Sequence, residues 1–192
     1  MLSKDGGPLI VGIGGTVRAG STSERALVKA LAVAQAAGAR TELFGGEFMA
    51  ALPIYNPQEP GEHAGRDLFL EAVRTADGVI VATPGYHGSL SGLVKNALDS
   101  LEGLRDDPRP YFDGRAVGCI VAATGWQACG SALAALRSIV HAMRGWPTPL
   151  GATLNTAMGL FDTGGDFTDR RDAWQVETVA RQVVAFAKVW RG

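Results

Sequence analysis

The chain has only two cysteines, Cys119 and Cys129, in 192 residues. That is too few for a disulfide framework or a cysteine zinc site. Its three histidines, His63, His87 and His141, show no metal-ligand spacing and no accompanying carboxylate pattern, so no metal is expected. An excess of either charge is missing too, since 18 Lys and Arg against 19 Asp and Glu leave a net charge of −1. This balance removes the basic footprint of a nucleic-acid binder and the strong acidity of a carrier that docks on basic partners. No apolar run reaches the length of a membrane span, and residues 1–7 do not read as a signal peptide. The expectation is a soluble cytoplasmic protein with no nucleic-acid or membrane partner.

Hydrophobic residues and glycine are what the chain does have. A hydrophobic share of 46% builds a sizeable core and excludes global disorder. The 26 glycines are about 14% of the chain, against a usual share of about 7%. They sit beside apolar runs and form no repeat. The 192 residues read as one domain, with residues 1–7 flexible.

Short branched apolar runs alternate with longer segments of helical period. Strands are expected at Pro8–Ile13, Arg40–Phe44, Gly78–Thr83, Ala116–Ala123 and Pro149–Leu154. Helices are expected at Ser21–Gly38, Glu59–Thr75, Ser91–Leu101, Gln127–Met143 and Ala173–Trp190. Strands buried on both faces and separated by helices imply an α/β fold, a doubly wound five-stranded parallel sheet with helices on both faces. Phe44–Glu59, Gly103–Gly114 and Asn155–Thr168 are left as surface or site-forming loops.

In such a sheet, ligands bind outside the carboxyl ends of the strands. Three loops leave those ends with unusual composition. The first runs from Gly14 to Ser23 (GGTVRAGSTS), where glycines turn N–H groups inward, hydroxyls and Arg18 add donors, and a helix begins. It suits a phosphate monoester. It is no dinucleotide fingerprint, because Val17 stands in the last glycine slot, and no triphosphatase loop, because Ser21 stands where lysine is required. A helix cap at Ser21 or Ser23 explains the hydroxyls but not Arg18. The second loop is Thr83–Ser89 (TPGYHGS), in which Pro84 and Gly85 are expected to end the strand and Tyr86 and His87 to offer a flat surface with polar edges. The third is Thr124-Gly125-Trp126-Gln127. Cys119 reads as an inert core residue, while Cys129 opens a helix, where a thiol pKa can fall. No nucleophile elbow and no acid–base pair is present.

The stretch Gly15–Ser23 resembles the phosphate loop of NAD(P)H-dependent FMN reductases. Thr83–Ser89, with Ser91–Asp99 (SGLVKNALD) behind it, is similar to their second signature, and Leu52-Pro53-Ile54-Tyr55 to a third. The resemblance covers Pro8 to about Leu154 in the right order. It implies a flavodoxin-like fold with strand order 2-1-3-4-5, FMN rather than FAD, and a homodimer or homotetramer. By the same resemblance Thr16, Arg18, Ser21 and Ser23 hold the FMN phosphate. Pro84, Gly85, Tyr86 and His87 line the isoalloxazine, and Thr124 and Gly125 close its other edge.

The implied activity is hydride transfer from NADPH or NADH to the flavin N5. No side-chain acid or base is needed for that step, so no catalytic residue is assigned. Reduced flavin then goes to a partner monooxygenase or another acceptor. Alternatives are an FMN-bound quinone, azo or metal-ion reductase, or a non-catalytic flavodoxin-like electron carrier. Members that hold flavin firmly often carry Glu and Asn at the positions of Gly85 and His87, and Asn at that of Ser23. These departures point to FMN used as an exchangeable substrate.

Overall fold

The computed structural model describes residues 6–58 and 61–191. Residues 1–5, and with them most of the segment expected to be flexible, lie outside the described residues. Helices and strands alternate as β1 (Leu9–Gly14), α1 (Thr22–Ala36), β2 (Arg40–Phe44), α2 (Gly46–Ala50), α3 (Ala64–Thr75), β3 (Gly78–Tyr86), β4 (Ser89–Leu90), α4 (Gly92–Ser100), β5 (Ala116–Ala123), α5 (Trp126–Ala142), β6 (Trp146–Pro147), β7 (Ala152–Asn155) and α6 (Arg170–Arg191). Short 3-10 turns follow α4 at Leu101–Leu104 and β7 at Thr156–Met158.

β1, β3 and β5 are apolar and buried along most of their length, as expected of strands covered on both faces. Because side chains alternate across a strand, Ile10, Ile80 and Ile120 face α1 and α6. Val11, Val79 and Val121 face α3, α4 and α5. Two hydrophobic layers result, with the sheet between them. Each fully buried branched side chain in them is worth roughly 1.5–3 kcal/mol. No helix among the described residues is long and apolar enough to cross a membrane.

The sheet runs β2-β1-β3-β5-β6, and all of these neighbours are parallel. The expected order 2-1-3-4-5 is therefore present, but the count of five strands needs correction. The outer position is divided, with β6 pairing Ala116 and Val117 and β7 pairing Ile120–Ala123 of the same neighbour. The break falls at Thr148–Gly151, where Arg137 Nη2 donates to the carbonyls of Thr148 and Pro149, both at 2.8 Å. An arginine there supplies donors that a continuous strand pair does not need. The small β4 adds an antiparallel pair to the end of β3, so the sheet has seven strand segments in all.

Three further expectations are corrected. The loop after Phe44 contains α2, held by an edge-on contact between Phe44 and Phe48 at 4.8 Å. α3 begins at Ala64, with His63 as its cap, its Nδ1 accepting the Arg66 N–H at 3.1 Å. Glu59 and Pro60, where this helix was expected to begin, lie outside the described residues. Pro84 and Gly85 do not end β3, since Pro84 pairs Ala122 and the strand continues to Tyr86. β1 stops at Gly14, opposite Ala82, so Pro84 lies in an overhang where no ladder bond from that side is lost.

Candidate functional site

The parallel register gathers the three loops on one rim. Gly14 lies opposite Ala82, Thr83 opposite Val121, and Ala123 opposite Asn155. Loops leaving β1, β3, β5 and β7 are thus neighbours in that order.

In the first loop Gly15 has φ +122, and its N–H donates to the Ala82 carbonyl at 3.3 Å. A Cβ there would meet the Glu24 carboxylate at 2.4 Å and the Gly46 nitrogen at 2.8 Å, so only glycine fits. Thr16 Oγ1 accepts the Arg18 N–H at 3.1 Å and shapes the turn. Ser21 caps α1 by accepting the Glu24 N–H at 3.4 Å, and its hydroxyl lies 3.5 Å from that of Ser23. Both serines are buried. Arg18 is exposed, and its guanidinium makes no ion pair among the described residues. Hydroxyls, an uncommitted guanidinium and the open N–H groups of a helix start are the donor set a phosphate dianion calls for. Thr16, Arg18, Ser21 and Ser23 all lie in the loop from β1 into the start of α1, and their chemistry fits such a group.

The second loop is a tight hairpin in which Tyr86 pairs Ser89 and Gly85 pairs Leu90. Its two central residues, His87 (φ 50) and Gly88 (φ 83), are left-handed, as a primed turn requires. Thr83, fully buried, ties the hairpin to α4 by accepting the Ser91 N–H at 3.1 Å. Tyr86 is 54% exposed and His87 is exposed beside it, so both stand on the rim. Pro84 is buried in the sheet.

Gly85 packs closely against the start of α5. A Cβ on it would lie 2.9 Å from the Ala123 Cβ and 3.3 Å from both the Ala128 carbonyl oxygen and the Ala132 Cβ. A side chain at this position would point at α5, so close packing favours glycine here. Gly85→Ala should destabilise the fold by about 1–3 kcal/mol through overpacking, read as a lower urea midpoint at unchanged slope.

The third loop is held from a strand end that the sequence left as plain loop. Asn155 Oδ1 accepts the Gly125 N–H at 3.0 Å and the Ala157 N–H at 3.1 Å. Thr124 Oγ1 lies 3.0 Å from Thr156 Oγ1. Asn155 and Thr156 are thus positioning residues, and an asparagine just after an apolar strand was the available signal. Gly88 of the second loop and Thr124, Gly125 and Trp126 of the third line a common cleft of about 400 Å³. Trp126, 57% exposed, stands at its edge. Behind the rim, Asn96 of α4 holds the Leu52–Tyr55 stretch, accepting the Tyr55 N–H at 2.8 Å and donating to the Pro53 carbonyl at 3.0 Å.

The Cys129 thiol does not gain from opening a helix. Burial pushes it up, and it donates to the Leu154 carbonyl at 3.4 Å. Burial also pushes Cys119 up to about 12, so neither sulfur is an activated nucleophile.

Residues 8–158 match the family described as NADPH-dependent FMN reductase. An NAD(P)H-dependent FMN reductase of Pseudomonas aeruginosa is 30% identical over 118 residues, 60% of each chain. An FMN-dependent NADPH-azoreductase of Staphylococcus haemolyticus is 32% identical over 121 residues, 62% of this chain and 60% of that one. The chain thus spans about three fifths of the length of these relatives. Among solved structures, an apo NADH:FMN oxidoreductase superposes with a TM-score of 0.72 at 21% identity, over 95% of this chain and 89% of that one. That likeness extends the shared fold beyond the matched segment to the C-terminal helix.

Proposed function

The chain belongs to the NADPH-dependent FMN reductase family, and from this we propose that it oxidises a nicotinamide nucleotide with FMN held on the carboxyl rim of its sheet. The observation that carries the reading is the convergence of an uncommitted Arg18, two buried serine hydroxyls and a helix start at the end of β1, next to the Tyr86–His87 hairpin. Thr16, Arg18, Ser21 and Ser23 bind the phosphate of FMN. Tyr86 and His87 line the ring, while Thr124 and Gly125, braced by Asn155, bound its other edge. Bound flavin supplies the redox chemistry, accepting a hydride from NADPH or NADH and passing electrons onward. The protein's own part is to bind and orient.

A homodimer or homotetramer and a cytoplasmic setting belong to the same proposal. All four tryptophans, Trp126, Trp146, Trp174 and Trp190, are more than half exposed, which supports a subunit contact. Reduced flavin released to a monooxygenase is one outlet. The azoreductase relative favours a second outlet, an azo acceptor reduced at the site itself.

Steady consumption of NADPH by the purified protein in the presence of FMN tests the proposal. Turnover that saturates with FMN is expected. Binding of FMN without any nucleotide oxidation would make the protein an electron carrier instead.

A further inference from the structure

One cation beside the phosphate loop has no counter-charge. Arg25 lies one helical turn beyond Ser21 on α1, its N–H donating to the Ser21 carbonyl at 2.9 Å. Its guanidinium covers the ring of Phe161, with Cζ 4.1 Å from the centroid. That ring packs on Phe167 at 4.6 Å across an antiparallel bridge. Lys29, a turn further along α1, fixes the same loop through its 2.5 Å ion pair with Asp166. Arg25 is therefore half-buried and held in one orientation. Stacking occupies the face of the guanidinium and leaves its edge donors open. Those donors meet no acceptor among the described residues.

Arg25, Glu24 and Lys29 border a cavity of about 380 Å³ that reaches Gly20 of the phosphate loop and Gly164 and Gly165 of the stacked loop. Three charged side chains line it. Lys29 is neutralised by Asp166, and the Glu24 carboxylate accepts the Gly46 N–H at 2.9 Å. Arg25 has no such partner.

We propose that Arg25 anchors a second phosphomonoester subsite beside the flavin phosphate loop, and that this subsite takes the 2′-phosphate of NADPH. The proposal rests on the reductase reading above. A guanidinium presents paired donors that match a phosphate, and the 2′-phosphate is the group that NADPH has and NADH lacks. The cavity borders the flavin phosphate loop at Gly20, on the same rim as the ring site. Arg25 then selects NADPH over NADH.

Arg25→Met keeps an unbranched apolar stem against Phe161 and removes every donor. Calorimetry of the FMN-loaded protein with adenosine 2′,5′-bisphosphate, 5′-AMP and inorganic phosphate reads binding, and kcat/KM for NADPH and for NADH reads selectivity. The bisphosphate should bind about tenfold more weakly to Arg25→Met. The kcat/KM for NADPH should fall by a similar factor, with NADH kinetics and FMN affinity unchanged and part of the loss recovered in Arg25→Lys. Equal losses for both nucleotides, or a weaker FMN complex, would overturn the proposal and assign Arg25 to loop packing or to the flavin phosphate. Inorganic phosphate binding as tightly as the bisphosphate, with no NADPH preference, would place free phosphate in the cavity and also overturn it. Failure of the wild-type protein to bind FMN or to oxidise either nucleotide is a separate result, which removes the reductase reading and this subsite with it.

Discussion

Replacing Arg115 with methionine should destabilise the fold by about 3–5 kcal/mol, because several buried carbonyls lose their donor at roughly 1–3 kcal/mol each. Arg115 is fully buried just before β5 and is hydrogen-bonded to no carboxylate among the described residues. Its Nε donates to the Ala76 carbonyl at 3.0 Å and its Nη2 to the Arg74 carbonyl at 2.7 Å, at the C-terminal end of α3 and the cap that follows it. Its Nη1 donates to the carbonyls of Tyr111 at 3.0 Å and Asp113 at 3.3 Å. The last carbonyls of a helix lack intrahelical donors and carry partial negative charge, so one guanidinium satisfies several needs at once. Burial pulls its pKa down to about 10, still high enough to keep the charge at neutral pH. Methionine fills much of the same volume and leaves those carbonyls unpaired in a closed space. Urea unfolding should show the loss, with Arg115→Lys recovering only part because an ammonium cannot match the fork. A change within about 1 kcal/mol for Arg115→Met would contradict the assigned role.

Arg18→Ala should weaken FMN by about 10- to 100-fold, the worth of a charge-assisted hydrogen bond to a phosphate. Arg18 is exposed and already uncommitted, so its removal frees no buried partner and leaves the fold intact. Riboflavin, which has no phosphate, should bind the variant and the wild type alike. Flavin fluorescence quenching measures both. Equal losses for FMN and riboflavin would move Arg18 from the phosphate to the ring, and no loss for either would remove it from the site.

The bounds of β2 and β5 match those read from the sequence. β5 is a branched apolar run closed by turn residues, and its parallel partners bury it on both faces. β1, β3 and the main helices were placed to within a few residues for the same reason. Long-range geometry hid the rest. The break between β6 and β7 depends on Arg137 reaching across from α5. The close packing around Gly85 was hidden because its neighbours Ala123, Ala128 and Ala132 come together only in the folded chain. The four rim loops were mostly legible, since glycine, proline and hydroxyl residues cluster at strand ends. Asn155 was not, because its work is done on Gly125, 30 residues away in sequence. Arg115 and Arg25 are ordinary arginines in the sequence, distinguished only by burial among carbonyls and by stacking on Phe161.

The most direct measurement is an anaerobic absorbance titration of the purified protein with one equivalent of FMN, to which NADPH is added. The visible flavin band should bleach stoichiometrically with oxidation of NADPH, and it should return on admission of air or an azo acceptor. The same mixture made with Arg18→Ala should bleach to the same extent only at higher FMN. A band that persists under excess NADPH and excess NADH, with FMN shown to be bound, would contradict the account.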